Sequence, residues 1–221
     1  MHTPRYTALF FIIILSVLIA AVLLSIPLFI LMHHPSFFQE EFKKYNVHES
    51  LQGSSVRTIH ASVLLYMNSN DVSAISSSDF FNQRELSHLT DVKKIIQAFF
   101  LLLKISLIVL IITIASMLYL FNSRMVRKML SYGLRNGAAC TLIPALIVSL
   151  SIFFDFEAAF ELMHRIFFDQ GTYTFDPTIE KIVVLYPLGL FSDAMLFILL
   201  CLFLTSMLAY LASYLLKKQT S

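Results

Sequence analysis

The sequence predicts an all-α integral membrane protein: four transmembrane helices, both termini cytoplasmic, and amphipathic extracytoplasmic helices packed on the outer membrane face. Three observations carry that prediction. The chain is 57% hydrophobic and only 14% charged, whereas charged residues make up roughly 25% of an ordinary soluble domain. Its apolar residues fall into four long runs. Three of its connecting and terminal segments carry Lys and Arg with no Asp or Glu. The 221 residues read as a single transmembrane domain, 1–221.

The first run, about 6–32, contains no charge, and about 20 apolar residues suffice to cross the hydrocarbon core. A cleaved signal peptide has an apolar region of only about 7–15 residues, so this run is expected to remain as an anchor. The outer segment that follows, about 33–94, is too long for a tight connection and too apolar for a disordered one. In it Phe38, Phe42 and Tyr45 recur at helical spacing, and Val56, Ile59, Val63 and Met67 repeat the pattern. Such stripes predict helices lying in the headgroup region. Ser76-Ser77-Ser78 marks a loop. Asn82-Gln83-Arg84-Glu85 resembles a capping box opening a helix that runs on into the second span, about 95–121.

The third run, about 138–154, contains Pro144, which a membrane helix tolerates when neighbours satisfy the freed carbonyl. In the second outer segment, about 155–193, Phe156, Phe160, Met163 and Phe167 form one helix face while Glu157, Glu161 and His164 line another. Gln170-Gly171 breaks that helix. Asp176-Pro177 offers an N-cap followed by proline at the first helical position, predicting a last short helix that ends near Tyr186-Pro187. The fourth run covers about 194–216.

Orientation follows from the connections. Arg5, then Arg124, Arg127, Lys128 and Arg135, then Lys217 and Lys218 occupy the N-terminus, the second connection and the C-terminus. Cytoplasmic segments concentrate Lys and Arg, so both ends are expected inside and every carboxylate outside. The four cations of the second connection are what topology alone requires, and no nucleic-acid binding is expected from them. Cys140 and Cys201 read as apolar fillers at different depths, unsuited to a disulfide. Lys104, inside the second span, is expected to snorkel toward the headgroups.

The chain has no Gly-x-Ser-x-Gly elbow, His-Glu-x-x-His, Gly-rich phosphate loop or Cys-x-x-Cys. Seven histidines remain. His2 is terminal, and His33 and His34 sit where interfacial polar residues are common. His88 and His164 differ because each lies on a helix near a span with carboxylates on the same face: Glu85 and Asp91 beside His88, Glu161 beside His164. A carboxylate in that position can fix an imidazole tautomer for acid/base work, although an interfacial histidine with a surface partner gives the same spacing. Glu85-x-x-His88 and Glu161-x-x-His164 also match the pairs of di-metal carboxylate bundles. Such a site would draw further carboxylates from Glu40 or Glu41 and from Glu180 or Asp193.

At these residues the sequence resembles a bacterial membrane-protein family, the lipoprotein intramolecular transacylases. The resemblance lies in Phe81-x-x-Arg84-Glu85-x-x-His88-Leu89-x-Asp91-Val92-Lys93 and in His164-Arg165-Ile166-Phe167-Phe168-Asp169-Gln170-Gly171-Thr172-Tyr173-x-Phe175-Asp176-Pro177, followed by Leu185-Tyr186-Pro187. Met163 and Tyr173 stand where the family leads one to expect an aromatic residue and tryptophan. The resemblance implies a multi-pass protein of the bacterial cytoplasmic membrane with its site on the extracytoplasmic side. It implies a diacylated lipoprotein as substrate, presented by membrane lipid, whose sn-2 acyl chain moves onto its own N-terminal α-amino group to give the lyso form. Ester-to-amide transfer is downhill, so no cofactor and no metal are expected. The family's two catalytic histidines fall on His88 and His164, with His164 favoured as base. Asp91 and Glu161 are expected to orient them, with Glu85 beside His88. Arg84 and Arg165 are expected to hold polar parts of the substrate, and Phe80, Phe81, Phe167 and Phe168 to line the acyl-chain cavity. A di-metal membrane oxidoreductase and a non-enzymatic membrane scaffold are the competing readings.

Overall fold

The computed structural model describes residues 3–51, 55–69, 75, 79–169 and 171–219. His2, the Ser76-Ser77-Ser78 run and Gln170 lie outside the described residues. Those residues form helices α1 (Thr3–Met32), α2 (Pro35–Lys44), α3 (Val47–Ser50), α4 (Val56–Asn68), α5 (Gln83–Leu120), α6 (Ser123–Phe154), α7 (Phe156–Phe167), α8 (Ile182–Leu185) and α9 (Leu188–Lys218). No strand occurs among the described residues. Helices α1, α5, α6 and α9 are long and apolar enough to cross a membrane. α5 extends back to Gln83, so the amphipathic lead and the apolar run form one helix. α6 begins at Ser123, which places the basic residues of the second connection on helix rather than loop. Both cysteines are free, and Lys104 lies on an exposed face of α5.

The chain divides into two compact units. The first comprises Met1–Leu28, Phe100–Leu150 and Ile198–Ser221. Leu15, Ile19, Met117, Val126 and Met129 build its core. Gly133 and Gly137 let α6 approach α1 closely: a Cβ on Gly133 would lie 2.6 Å from Leu15 Cβ, and one on Gly137 2.7 Å from Ile19 Cγ2. This small-xxx-small spacing brings backbones together where lipid supplies no hydrophobic drive. Ser131 and Ser213 bond α6 to α9 reciprocally, each hydroxyl donating to the other residue's carbonyl at 2.9 and 2.8 Å. This unit has eight Lys or Arg side chains and no Asp or Glu.

The second unit, Phe29–Phe99 and Ser151–Phe197, contains all fourteen carboxylate side chains. The stripes expected to lie on lipid are instead its interior: Phe38, Phe42, Val56, Val63 and Met67 are all buried. Phe38 and Phe42 pack around the buried His60 ring, at centroid distances of 4.4 and 5.0 Å. His60 Nδ1 meets Tyr186 Oη at 2.9 Å. Tyr45 lies against Gly189, where any Cβ would meet its ring at 2.4 Å, and donates to Asp193 at 2.6 Å. Lys44 also bonds Asp193. Apolar spacing is the same for a helix on lipid and a helix on a protein core, and the pairing of α2 with α9 through Asp193 decides for the core.

The helix expected from Asp176 is cut to its last turn, Ile182–Leu185. Asp176 Oδ1 accepts from Thr178 N at 2.9 Å and from its hydroxyl at 2.7 Å, closing a turn in place of a helical start.

Two outcomes follow from this packing. Gly133→Val should drive a branched side chain into the Leu15 Cβ position and destabilise the protein by about 1–3 kcal/mol, read as a lower melting temperature in detergent. Burial pushes His60 down to about 4 from an ordinary 6.5, and the cavity beside it adds Lys43, Arg57 and His48 with no carboxylate. The unfolded chain therefore takes up this proton first, so the stabilisation is complete above pH 6.5 and is lost as pH falls toward 4. His60→Phe should flatten the fall in melting temperature across that window.

Candidate active site

α5 opens with a reciprocal cap. Asn82 Oδ1 accepts from Glu85 N at 2.9 Å, and Glu85 Oε2 accepts from Asn82 N at 2.6 Å. The other oxygen of Glu85, which is 1% exposed, accepts from Ile182 N at 2.7 Å. Both carboxylate oxygens thus serve main-chain donors, which makes Glu85 the post on which α5 and α8 are joined rather than an orienter of His88. One turn later His88 points inward, with its Nδ1 buried and unpartnered among the described residues.

Arg84 turns the other way. It donates to both oxygens of the buried Glu180 at 3.0 and 3.2 Å, to Gly171 O at 3.0 Å, and to Thr174 O. Glu180 also accepts from Asp176 N at 2.8 Å. These bonds tie the 171–180 loop to the start of α5, and Phe175 lies under the guanidinium at 5.0 Å. The same ring packs against His88 at 5.2 Å. Arg84 is therefore occupied by the loop, with its donors directed at protein acceptors rather than at a substrate.

α7 is capped by Asp155, whose Oδ1 accepts from Ala158 N at 3.0 Å. His164 comes in its last turns and is buried. It shares the inward side with Phe160, four residues earlier, and not an outer stripe with Glu157 and Glu161. Its Nδ1 lies 2.8 Å from Phe160 O. A carbonyl can only accept, so Nδ1 carries hydrogen and Nε2 is left as the basic nitrogen. Glu161 accepts instead from Arg165 Nε at 2.9 Å and Tyr173 Oη at 3.2 Å. The Arg165 bond holds its carboxyl below the usual range against a smaller burial effect, with Tyr173 assisting. Asp91 is engaged by Lys94 at 2.8 Å.

The two imidazoles come together although 76 positions separate them: their centroids are 6.2 Å apart and their planes 18° from parallel. Phe168 packs on both, at 4.8 Å from His88 and 5.3 Å from His164. Phe160 and Tyr173 close the His164 side at 4.2 and 5.1 Å. Of the expected cavity aromatics, only Phe168 has a ring contact with the pair among the described residues. Phe167 is 52% exposed, and Phe80 packs on Phe81 and under Lys181. Phe175 and Tyr173, on the loop that Arg84 bonds, contact the pair instead, Phe175 on His88 and Tyr173 on His164.

The carboxylates of a di-metal centre are directed elsewhere: Glu85 to main-chain donors, Glu180 to Arg84, Asp193 to Lys44 and Tyr45, Glu161 to Arg165. Among the described residues no group of three or more His, Cys, Asp or Glu side chains assembles as a metal site.

Arg84→Ala should leave the buried Glu180 with Asp176 N alone, at about 1–3 kcal/mol for the lost partner, and free the two exposed carbonyls of the loop to water. Limited proteolysis should then cut within 171–180 while the wild-type loop resists.

The chain matches the family model described as lipoprotein intramolecular transacylase Lit over residues 11–191. No curated protein gives a significant match. Among solved structures it is similar to the in meso structure of the membrane integral lipoprotein intramolecular transacylase Lit from Bacillus cereus, with a TM-score of 0.84 at 20% identity over 98% of this chain and 100% of that one. Two further structures of the Bacillus cereus protein each have one histidine replaced. The arginine variant gives a TM-score of 0.79 at 18% identity over 99% of this chain and 95% of that one. The alanine variant gives 0.78 at 20% identity over 99% and 97%.

Proposed function

The chain belongs to the lipoprotein intramolecular transacylase family, and from that premise we propose how its two histidines move an acyl chain. It is a multi-pass membrane acyltransferase. The substrate in this reading is a lipoprotein with an N-terminal diacylglyceryl cysteine, held by membrane lipid at the outer leaflet of the bacterial cytoplasmic membrane. Both termini face the cytoplasm and the histidine pair faces outward. The observation supporting that orientation is the charge segregation, with eight cations and no carboxylate in one unit and every carboxylate in the other.

The substrate's α-amine attacks the sn-2 ester carbonyl. A nitrogen–carbon bond forms, the carbon–oxygen bond to glycerol breaks, and one proton passes from nitrogen to the glycerol oxygen. The amine attacks in its neutral form, which an α-amine with a pKa near about 7.7–8.0 supplies once its ammonium proton has gone to water. A base must take the N–H proton that becomes acidic as the nitrogen–carbon bond forms. His164 Nε2 is the base, because the Phe160 carbonyl holds the hydrogen on Nδ1. His88, neutral while its neighbour is charged, donates a hydrogen bond to the tetrahedral oxyanion. The His164 imidazolium then returns the proton to the departing oxygen. No atom is added or lost, and neither a metal nor a cofactor enters a step. Nucleophile and ester belong to one molecule, and well-oriented intramolecular reactions reach effective molarities of about 10⁵–10⁸ M. Phe168, Phe175 and Tyr173 shield the proton transfers and give the acyl chain an apolar wall.

The observation that carries this reading is the near-parallel His88 and His164 pair, built from two motifs 76 residues apart. The test is expression in a bacterium whose lipoproteins are diacylated but not N-acylated, followed by mass spectrometry of one N-terminal lipopeptide. Wild-type protein should shift one acyl chain to the cysteine nitrogen at unchanged total mass. A positioned acid/base group contributes about 10²–10⁴-fold, so His88→Ala and His164→Ala should each lose at least the lower bound. Glu161→Gln should remain within about tenfold, since its partners are Arg165 and Tyr173 and not a histidine. An unchanged lipopeptide with correctly inserted wild-type protein refutes the reading.

A further inference from the structure

The second unit contains a cavity of about 240 Å3 lined by Gln39 and Lys43 of α2, His48 of α3, and Arg57 and His60 of α4. No Asp or Glu lines it. His60 is its buried member, 4% exposed, and the ring's Nε2 has no hydrogen-bond partner among the described residues. What Nε2 can offer depends on the other nitrogen, which lies 2.9 Å from Tyr186 Oη. If Nδ1 donated to the tyrosine, the phenolic hydrogen and the Nε2 lone pair would both go unmatched, since that hydroxyl has no second partner among the described residues. If the tyrosine donates to Nδ1, only the Nε2 hydrogen is left over. Each unmatched buried polar group is costly, so the second arrangement holds. Burial keeps both groups neutral, pushing the tyrosine above its ordinary range and His60 down to about 4. His60 therefore brings the cavity a buried N–H donor.

We propose that this cavity binds a phosphate group between the His60 Nε2 hydrogen and the Arg57 guanidinium. Arg57 donates to the neutral amide oxygen of Gln39 at 3.0 Å, a bond that leaves its charge and the rest of its fork free. It also turns the Gln39 amide nitrogen into a further donor. Lys43 is already matched by Glu40 at 2.8 Å, so recognition falls to Arg57 and His60. A planar carboxylate is satisfied by one fork, whereas a tetrahedral phosphate presents oxygens in several directions to donors from α2 and α4. Pro35 lines the cavity three residues after α1 ends at Met32, so two sources of the same group are open: a lipid headgroup and free phosphate. The proposal stands apart from the acyl-transfer reading and uses none of its residues.

The full chain in nonionic detergent and phosphate-free buffer would be melted against rising inorganic phosphate, against acetate at equal ionic strength, and against phosphatidylglycerol, with bound lipid counted by native mass spectrometry. A phosphate source should raise the melting temperature in a saturable way, and acetate should not. Saturation by the lipid where the free ion has no effect supports the site and identifies a headgroup. Saturation by the ion without lipid supports it and identifies soluble phosphate. Arg57→Gln, at an exposed position, and His60→Phe, which keeps a ring without a donor, should each weaken binding at least about tenfold. Lys181→Gln, an exposed cation of the same unit outside the lining, should bind like wild type. If His60→Phe fails to fold, Arg57→Gln decides. No saturation by either phosphate source, equal stabilisation by acetate, or wild-type affinity in folded Arg57→Gln overturns the proposal.

Discussion

The second unit depends on what two neighbouring side chains do at the start of α5. Glu85, almost wholly buried, uses one oxygen to cap its own helix and the other to receive the first amide of α8. Arg84, pointing the opposite way, gathers Glu180 and two carbonyls of the 171–180 loop. Between them they fix where α5 begins and where the chain after α7 must lie. A buried carboxylate is tolerated only when its oxygens are satisfied, so neither residue can shift without exposing the other's partners. The position of Phe175 beside His88 follows from this arrangement, as does the tyrosine that occupies Glu161.

Much of this was legible in the residues. The apolar runs predict four long helices, the Asn82 to Glu85 spacing predicts a reciprocal cap, and two histidine motifs point to one site. What could not be read concerns direction. Phe38, Phe42, Val56 and Val63 have the spacing of a helix on lipid and equally of a helix on a protein core, and only long-range partners such as Asp193 and Tyr186 settle which. Glu161 has the right spacing for His164, but an arginine at i+4 and a tyrosine from the next loop take its oxygens. The group that does orient His164 is the Phe160 carbonyl, and a main-chain acceptor leaves no mark in side-chain identity. Arg84 carries the look of a substrate clamp for the same reason: its acceptors, apart from Glu180, are backbone oxygens.

A carbonyl orienter has chemical consequences that a carboxylate would not. It fixes the tautomer of His164 without adding a negative charge. In the proposed cycle the base must give its proton back within the same turnover, to a glycerol oxygen. A base held too strongly in its protonated form would stall at that step. The aromatic walls work in the same sense, since they offer no counter-charge to trap the proton.

The same economy governs the whole chain. Every carboxylate lies in the unit that builds the histidine pair, and there each of Glu85, Glu161, Glu180 and Asp193 is matched to a donor of the protein itself. The other unit has cations alone, and its helices are held by glycine contacts and a serine clamp rather than by ion pairs. Collecting the carboxylates in the second unit gives the elements around the two imidazoles their internal anchors. In the proposed cycle a pair of histidines suffices, because the substrate brings both nucleophile and ester and the protein has only to align them and pass one proton between them.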